Sequence, residues 1–213
     1  MRKFLIIFFL ALFSFVGISQ KNFEGIITYS INYNEIPKEM VSVTSQLPTE
    51  LIVKYHESMK KEEVISEQSS KITITDLVSN KSFVLMTLFG EKIALIRDEE
   101  NKKICDLYSE CNVVITKESK KIGDFECTKA LLYFPKIKEP SEVYYTDEYK
   151  ANDGKFSKIG GIPLEFSTVE NGMLITYTML TIENKSLKMK EFEVDKSYTI
   201  LTPEELQKQF GME

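Results

Sequence analysis

Histidine and tryptophan are nearly absent from this chain of 213 residues: there is no tryptophan, and His56 is the one histidine. A transition-metal site usually takes several histidine or cysteine ligands at short spacing, and His56 has no such neighbour in the sequence. A Ser-His-Asp or Cys-His catalytic arrangement would need His56, which stands at the end of a predicted strand beside Lys54, Glu57 and Lys60. We interpret His56 as an exposed surface residue and expect no metal and no other cofactor.

The sequence motifs of common enzyme classes are also missing. There is no Gly-x-Ser-x-Gly nucleophile elbow, no Gly-x-x-x-x-Gly-Lys phosphate loop and no dinucleotide glycine fingerprint. Acidic pairs such as Glu62-Glu63 and Glu204-Glu205 lie in charged stretches or at a predicted helix start, where solvation or the helix dipole explains them. We therefore predict that the protein is not an enzyme, with a hydrolase of an unfamiliar kind as the catalytic alternative.

Cysteine is scarce and its count is odd: the three residues are Cys105, Cys111 and Cys127. In an oxidising compartment, a disulfide between Cys105 and Cys111 would close a hairpin or loop and leave Cys127 unpaired on a strand. In the alternative interpretation, all three are small buried apolar residues or free thiols. The sequence leaves both interpretations open.

The first residues have the layout of a secretory signal peptide. A short positive region at residues 1–3 precedes an apolar run at residues 4–16, and the small residues Gly17 and Ser19 fit the positions before a signal peptidase cut. The run is about 13 residues long, whereas a membrane-spanning helix needs roughly 20, and no second run of that length follows. We expect the mature chain to begin near Gln20; an uncleaved membrane anchor is the alternative.

The remaining residues, 20–213, have a length typical of one domain. The whole chain has 27 basic and 32 acidic residues, so removal of the two basic residues of the leader gives a net charge of about −7. This charge argues against nucleic acid and anionic membrane surfaces as partners, because both attract basic faces. We predict a signal peptide at residues 1–19 and a single β-rich domain at residues 20–213. The exported protein would lie in the periplasm, associate with the outer membrane, or be secreted.

Alternating hydrophobicity is the main structural signal in the mature chain. In residues 23–33, apolar and aromatic side chains alternate with polar ones, as in a half-buried β-strand. Similar stretches, enriched in β-branched and aromatic residues, follow along the chain. Together they predict about ten or eleven strands, at residues 23–33, 51–56, 72–78, 83–89, 92–97, 113–117, 125–134, 143–149, 163–169, 173–183 and 187–194.

Turn signals separate these strands, at Asn80-Lys81, Gly90, Gly123 and Asn171-Gly172. No helix-length pattern lies between the strands after residue 50, so consecutive strands are expected to pair antiparallel, without βαβ crossovers. A flat open sheet of so many strands is unfavourable. We predict a mainly β fold, in which a large antiparallel meander sheet curves into a half-barrel.

Two segments have helical patterns. In residues 35–48, apolar residues recur at helical spacing between Pro37, which a first turn tolerates, and Pro48, which bars continuation. Near the end of the chain, Thr202-Pro203-Glu204-Glu205 supplies an N-cap, a proline at the first helical position and a capping-box glutamate. We predict one short helix after the first strand and a short helix at the C-terminus.

The inner face of the curved sheet, covered by the first helix, is the candidate site. Inward apolar side chains there would line a pocket for an acyl chain or another apolar ligand. The candidate ligand-binding residues are Met40, Val53, Tyr55, Phe83, Leu85, Ile93 and Leu95. In the alternative interpretation, the same side chains fill one another's space as a close-packed core.

Several blocks of the sequence resemble, in order and spacing, those of the GLPGI-type family of exported bacterial proteins, which has no assigned activity. The blocks are residues 40–55, 122–130, 143–146 and 160–166. Where the family's name-giving block reads Gly-Leu-Pro-Gly-Ile, this chain has Gly-Ile-Pro-Leu-Glu at residues 161–165, as in a sibling branch. The resemblance implies a fold similar to periplasmic carriers of outer-membrane lipoproteins, whose half-barrel holds acyl chains beneath a helical lid. It transfers no catalytic residue.

These observations leave three functional hypotheses. The first is a non-catalytic periplasmic carrier or binding module whose partner is a lipid or lipoprotein acyl chain. The second is an interaction or assembly factor of the cell envelope, with a filled core and a protein partner. The third is the hydrolase. A cavity on the sheet would favour the first hypothesis over the second.

Overall fold

The computed structural model describes residues 21–66, 70–97, 111–135, 137–150, 156–170 and 172–211. The predicted signal peptide at residues 1–19 lies outside these residues, and so does Cys105.

Almost all of the regular structure is β-strand. The strands are β1 (Lys21–Asn22), β2 (Gly25–Glu35), β3 (Glu50–His56), β4 (Met59–Ile65), β5 (Ser70–Asp76), β6 (Ser82–Leu88), β7 (Glu91–Arg97), β8 (Asn112–Ile122), β9 (Phe125–Tyr133), β10 (Ser141–Thr146), β11 (Tyr149–Lys150), β12 (Ile162–Glu170), β13 (Met173–Asn184) and β14 (Thr199–Leu201). The helices are three 3₁₀ segments, Lys38–Gln46, Ser157–Ile159 and Met189–Phe192, and the α-helix α1, Pro203–Phe210.

Twelve strands form one large open sheet in the order β14-β7-β6-β5-β4-β3-β2-β13-β12-β10-β9-β8. Strands β2 to β7 pair consecutively as an antiparallel meander, and β8, β9, β10, β12 and β13 form a second one. The two meanders join where β2 pairs antiparallel with β13. The sheet is mixed, because β14 pairs parallel with β7. A separate two-stranded sheet pairs β1 parallel with β11.

The sheet is strongly curved. Gly123, in the turn between β8 and β9, lies so close to Met179 of β13 that an added Cβ would be 3.1 Å from the methionine Cε. Strands β9 and β13 are three positions apart in the sheet, which corresponds to about 14 Å if the sheet were flat. The β8–β9 hairpin therefore curls over the face that carries Met179, as the predicted curved sheet requires.

The first face of the sheet, which carries Ile27 and Val53, holds the larger core cluster. Its buried side chains come from both meanders, and ring contacts connect them: Phe166 lies 5.6 Å from Tyr29 and 4.8 Å from Tyr177, centre to centre. The 3₁₀ helix Lys38–Gln46 packs Met40 against this cluster. The predicted helix after the first long strand is thus present as a 3₁₀ helix and covers the predicted face.

The opposite, second face, which carries Ile26 and Ile74, holds a separate cluster. Its buried members are Ile74, Leu85, Ala94, Leu187 and Phe192. The last two belong to the C-terminal segment, defined here as residues 185–201, which follows β13 and leads into α1. The segment therefore packs across β5, β6 and β7 on the second face.

The strand prediction requires two corrections. Residues 187–194 were expected to form a strand, but they contain the 3₁₀ helix Met189–Phe192, which packs onto β4. Conversely, β4 was not predicted, because its run of charged residues shows no alternation. Its charges are accommodated by pairing, with Glu63 Oε1 lying 3.1 Å from Lys54 Nζ and 2.8 Å from Lys61 Nζ.

The predicted C-terminal helix is confirmed with its cap. Thr202 accepts a hydrogen bond from the Glu205 N–H, and the Glu205 carboxylate accepts one from the Thr202 N–H. This reciprocal capping satisfies backbone donors that the helix itself leaves without partners.

Within the described ranges, no helix combines the length and the apolar character needed to cross a membrane.

Candidate functional site

A cleft of about 350 Å³ opens between the second face of the sheet and the C-terminal segment. Strands β4, β5 and β6 form its floor, residues 192–194 of the C-terminal segment form the opposite wall, and Ile200 lies on β14 in the same sheet as the floor. Its lining residues are Met59, Ile74, Asp76, Ser79, Lys81, Phe83, Phe192, Glu193, Val194 and Ile200. The volume falls within the range of about 300–1,000 Å³ that is usual for small-molecule pockets.

The interior of the cleft is apolar because of strand register. Ile74 pairs with Phe83 across β5 and β6, so both side chains point to the second face. Ile200 pairs with Ala94 of β7, and Ala94 pairs with Leu85, which lies on the second face two residues after Phe83. Ile74 is 2% exposed, whereas Ile200 is 53% exposed. The cleft thus runs from a buried base towards solvent.

Polar groups gather at one end of the cleft, in the turn between β5 and β6. The Asp76 carboxylate accepts hydrogen bonds from the Val78 N–H at 2.9 Å and from the Ser79 hydroxyl at 2.8 Å. The Val78 bond, followed by those from Ser79, holds the pKa of Asp76 below its ordinary value. Lys81 lies beside this turn, with its Nζ atom 5.5 Å from the centre of the Phe83 ring.

The start of the C-terminal segment is attached to Glu24, which lies just before β2, and through it to His56 at the end of β3. Glu24 Oε1 accepts hydrogen bonds from the Ser186 hydroxyl and the Leu187 N–H, each at 3.0 Å. The same oxygen lies 2.8 Å from His56 Nδ1, and the His56 ring stacks on Phe192, with 5.8 Å between ring centres. Together, these contacts hold the wall of the cleft against β3 and β4.

The interpretation of His56 as an exposed surface residue is wrong. Its side chain is 14% exposed, since Phe192 covers one side of the ring and Glu24 binds Nδ1. The geometry also differs from that of a catalytic triad, in which the serine hydroxyl must bond the imidazole. Ser186 donates to Glu24 and not to His56. Hydrogen bonds from Leu187, His56 and Ser186, in that order of importance, lower the pKa of Glu24.

The seven predicted ligand-binding residues do not share one face. Met40, Val53 and Tyr55 meet in the core cluster of the first face. Leu95 lies on the same face, because a continuous row of paired residues links Val53 to Glu62, Thr73, Val84 and Leu95. Ile93, two residues before Leu95, shares that face. Phe83 and Leu85 lie on the second face, and Phe83 alone among the seven lines the cleft.

The first face has the features of a filled core where Val53 lies. Val53 is 3% exposed, and Tyr29, in the neighbouring strand, donates a buried hydrogen bond of 2.8 Å from its hydroxyl to the Pro163 carbonyl. Three aromatic rings surround Phe166 at 4.8–5.6 Å. The ligand-binding assignment for these residues stays a prediction.

Most residues of the cleft were missed by the sequence analysis, and one signal could have located its wall. In residues 187–194 the apolar positions are 187, 189, 192 and 194, so the alternation changes phase after residue 189. A continuous strand would keep its phase, whereas a single helical turn shifts it. A helical turn at this break predicts that Phe192 and Val194 belong to a segment folded over the sheet.

Cys111 and Cys127 are buried, and they form no disulfide with each other. Cys127 lies unpaired on β9, as one interpretation of the sequence predicts, and burial raises its pKa to about 11. Since Cys105 lies outside the described residues, its pairing with Cys111 stays a prediction. Among the residues that the structure describes, no three His, Cys, Asp or Glu side chains gather as metal ligands.

In comparisons with known proteins, no family model matches the chain, and no curated protein does. The resemblance to the GLPGI-type family therefore stays a prediction. Two crystal forms of PNGF-II match the fold with a TM-score of 0.51, at 15% and 14% sequence identity over 88% and 86% of this chain. The chain spans about one third of their length, 33% and 31%. At this identity the match shows a shared fold.

Two further structures match more weakly. MucB in complex with MucA(peri) has a TM-score of 0.35 at 9% identity, over 83% of this chain and 56% of that one. Mycobacterium tuberculosis lipoprotein LppX has a TM-score of 0.33 at 12% identity, over 78% of this chain and 89% of that one. At TM-scores below 0.5, nothing further follows from these two similarities.

Proposed function

We propose that this protein is an exported, non-catalytic module of the cell envelope that binds an apolar ligand in the cleft on the second face. The observation that carries the proposal is the cleft itself, about 350 Å³ in volume, with six apolar residues among its ten lining residues. Small-molecule sites are concave, mostly apolar and furnished with a few polar groups, and this cleft fits that description.

The shape and chemistry of the lining favour a flexible hydrocarbon chain. Met59 and Phe192 offer a polarisable thioether and an aromatic ring, which adapt to an apolar chain without demanding hydrogen bonds. The polar groups lie at one end, around Asp76 and Lys81. A lipid or lipoprotein acyl chain would place its hydrocarbon between β5 and the C-terminal segment, with its polar end at the β5–β6 turn.

The proposed location rests on the N-terminal sequence. Residues 1–3 and 4–16 have the charge and hydrophobicity of a secretory signal, and an acidic mature chain suits an aqueous compartment of the envelope. The periplasm, the outer-membrane surface and the medium all fit these features.

Binding is tested by titrating the mature protein with the neutral apolar probe N-phenylnaphthylamine and measuring its fluorescence and the melting temperature. A ligand specific for the folded state stabilises it by about 2.7 kcal/mol at 100 times the dissociation constant. We expect saturable fluorescence enhancement and a concentration-dependent rise in melting temperature. Absence of both, together with absence of co-purified lipid by mass spectrometry, would refute the proposal.

A role as an envelope interaction factor is the second candidate, and strand β8 favours it. This strand of 11 residues lies at an edge of the sheet, and Val114 and Ile115 on it are each 48% exposed. An edge strand with exposed apolar side chains can pair with an extended segment of another protein. Replacing Val114 and Ile115 with lysine would abolish such pairing and leave probe binding unchanged, which separates the two candidates.

A further inference from the structure

The charge arrangement at the mouth of the cleft is asymmetric. Three of the ten lining residues are ionisable: Asp76, Lys81 and Glu193. A charge that the protein already satisfies contributes little to ligand recognition, so the surroundings of each residue decide which charge is available.

Asp76 is engaged by its own turn. Its carboxylate accepts hydrogen bonds from the Val78 N–H, the Ser79 N–H and the Ser79 hydroxyl. These donors offset the negative charge that would otherwise face the cleft. The Leu77 N–H and the Asp76 N–H are used as well, by the carbonyls of Ser58 and Lys81, so the turn is held in place.

Glu193 lines the cleft at a solvent-exposed position. The backbone at Glu193 is extended, with φ −86° and ψ 145°, and its neighbour Phe192 is buried in the cluster on the second face, with Val194 packed against the same cluster. Successive side chains of an extended segment point to opposite sides. The Glu193 side chain is therefore directed away from this cluster, and it is exposed to solvent.

Of the three ionisable lining residues, Lys81 has the charge that is available to a ligand. It is exposed, it lies on the same face as Phe83 two residues later, and its Nζ atom stands over the Phe83 ring. Within the described part of the chain, Lys81 has no carboxylate at ion-pair distance. Because Lys81 lines the cleft and is exposed, its apolar stem can contact a hydrocarbon while its ammonium group meets the polar end of a ligand.

We propose that the cleft selects amphiphiles with an anionic head, of the fatty carboxylate class, by pairing the carboxylate with Lys81 while the hydrocarbon lies between Ile74, Phe83 and Phe192. This inference rests on the proposed function, and it adds the class of ligand. A free carboxylate distinguishes such a ligand from the acyl group of a lipoprotein, which is held in a neutral ester or amide bond.

The test is displacement of bound N-phenylnaphthylamine by three amphiphiles of equal chain length at about pH 7.5, where a carboxylate is ionised. They are dodecanoate, its neutral methyl ester and the dodecyltrimethylammonium cation. An exposed ion pair gives about a three- to fivefold preference, so dodecanoate should bind that much more tightly than the ester. The cation should bind more weakly than the ester. The preference should shrink in about 0.5 M NaCl, because salt screens exposed charges.

Variants of Lys81 test whether its charge causes the preference for dodecanoate. Lys81→Met should remove the preference for dodecanoate over the ester, and Lys81→Arg should retain the preference. Lys71→Met is the matched control, because Lys71 is an exposed lysine on the first face, paired with Val64 across β4 and β5. The control should bind like the wild type.

The failures of the two proposals are distinguishable. If the probe neither binds nor raises the melting temperature and no lipid co-purifies, the apolar-ligand function is wrong and this inference falls with it. If the probe binds and none of the three amphiphiles displaces it, the function stands and this inference is refuted. If all three displace the probe equally, or Lys71→Met acts like Lys81→Met, the function stands and selection by Lys81 is refuted.

Discussion

His56 Nδ1 lies 2.8 Å from Glu24 Oε1, and this contact joins the end of β3 to the residue that holds the C-terminal segment. The same Glu24 oxygen binds Leu187 and Ser186, so one carboxylate connects β3 with the wall of the cleft. Stacking of Phe192 on His56 continues this connection to the cleft interior. The arrangement gives the lone histidine a structural role.

Replacement of Glu24 by glutamine should change how stability depends on pH. The folded protein holds the pKa of Glu24 below its ordinary value of 4.5, so the stabilisation is present above that pH and is lost as the pH falls through the lowered pKa. The wild type should therefore lose more stability than Glu24→Gln on acidification from pH 7 to about pH 3. Urea unfolding across this range measures the difference.

Glu139→Gln, at an exposed position between β9 and β10, is the control and should follow the wild-type pH profile. Parallel profiles for the wild type and Glu24→Gln would contradict the role assigned to Glu24.

Filling the first face should damage folding and spare ligand binding. Val53 is 3% exposed in the core cluster, so Val53→Phe should overpack it at a cost of about 1–3 kcal/mol. The affinity for N-phenylnaphthylamine should not change, because the cleft lies on the opposite face. Val41→Phe, at a position 58% exposed, is the control and should have little effect on stability. Unchanged stability with lost binding would place the ligand on the first face.

Cys127 should resist thiol reagents in the folded protein. It is fully buried, and its pKa of about 11 leaves on the order of one thiolate in 1,000 at pH 8. After brief alkylation with iodoacetamide, peptide mapping should find Cys127 unmodified, and alkylation in denaturant should modify it. Rapid modification under native conditions would show that β9 opens readily.

The large curved β-sheet could be predicted from the sequence because most strands have one polar face. Alternation fails where both faces are apolar, as at Phe83, Val84 and Leu85, which fall on different faces although all three are hydrophobic. Only the register with the neighbouring strands assigns these side chains to a face. For that reason the sequence pattern predicts Phe83 and Val53 on one face, whereas they lie on opposite faces.

The sequence shows where glycines occur, but it does not show which neighbouring atoms exclude a larger side chain there. Residues 160–166 begin with a pair of glycines just before a predicted strand. An added Cβ on Gly161 would clash with the Thr146 carbonyl oxygen, so β10 approaches too closely for any side chain there. Such an approach depends on residues distant in sequence, and so does the cleft, whose wall lies more than 100 residues after its floor.

Export should be visible in the mass of the protein recovered from the cell envelope. The positive residues 1–3 and the apolar run at residues 4–16 predict cleavage that leaves Gln20 or a close neighbour at the terminus. Intact-mass measurement of that fraction should give the shortened chain. Recovery of the full-length chain with Met1 would show an uncleaved anchor.

The cleft is tested most directly by blocking it. Ile200 lines the cleft and is 53% exposed, so Ile200→Trp should fill it without overpacking a core. Leu180→Trp, at an equally exposed position on β13 that does not line the cleft, is the matched control. The measurement is the dissociation constant of N-phenylnaphthylamine, with the melting temperature as a check on folding. The account predicts binding weakened at least about tenfold in Ile200→Trp and unchanged in Leu180→Trp; equal affinities in both folded variants would contradict it.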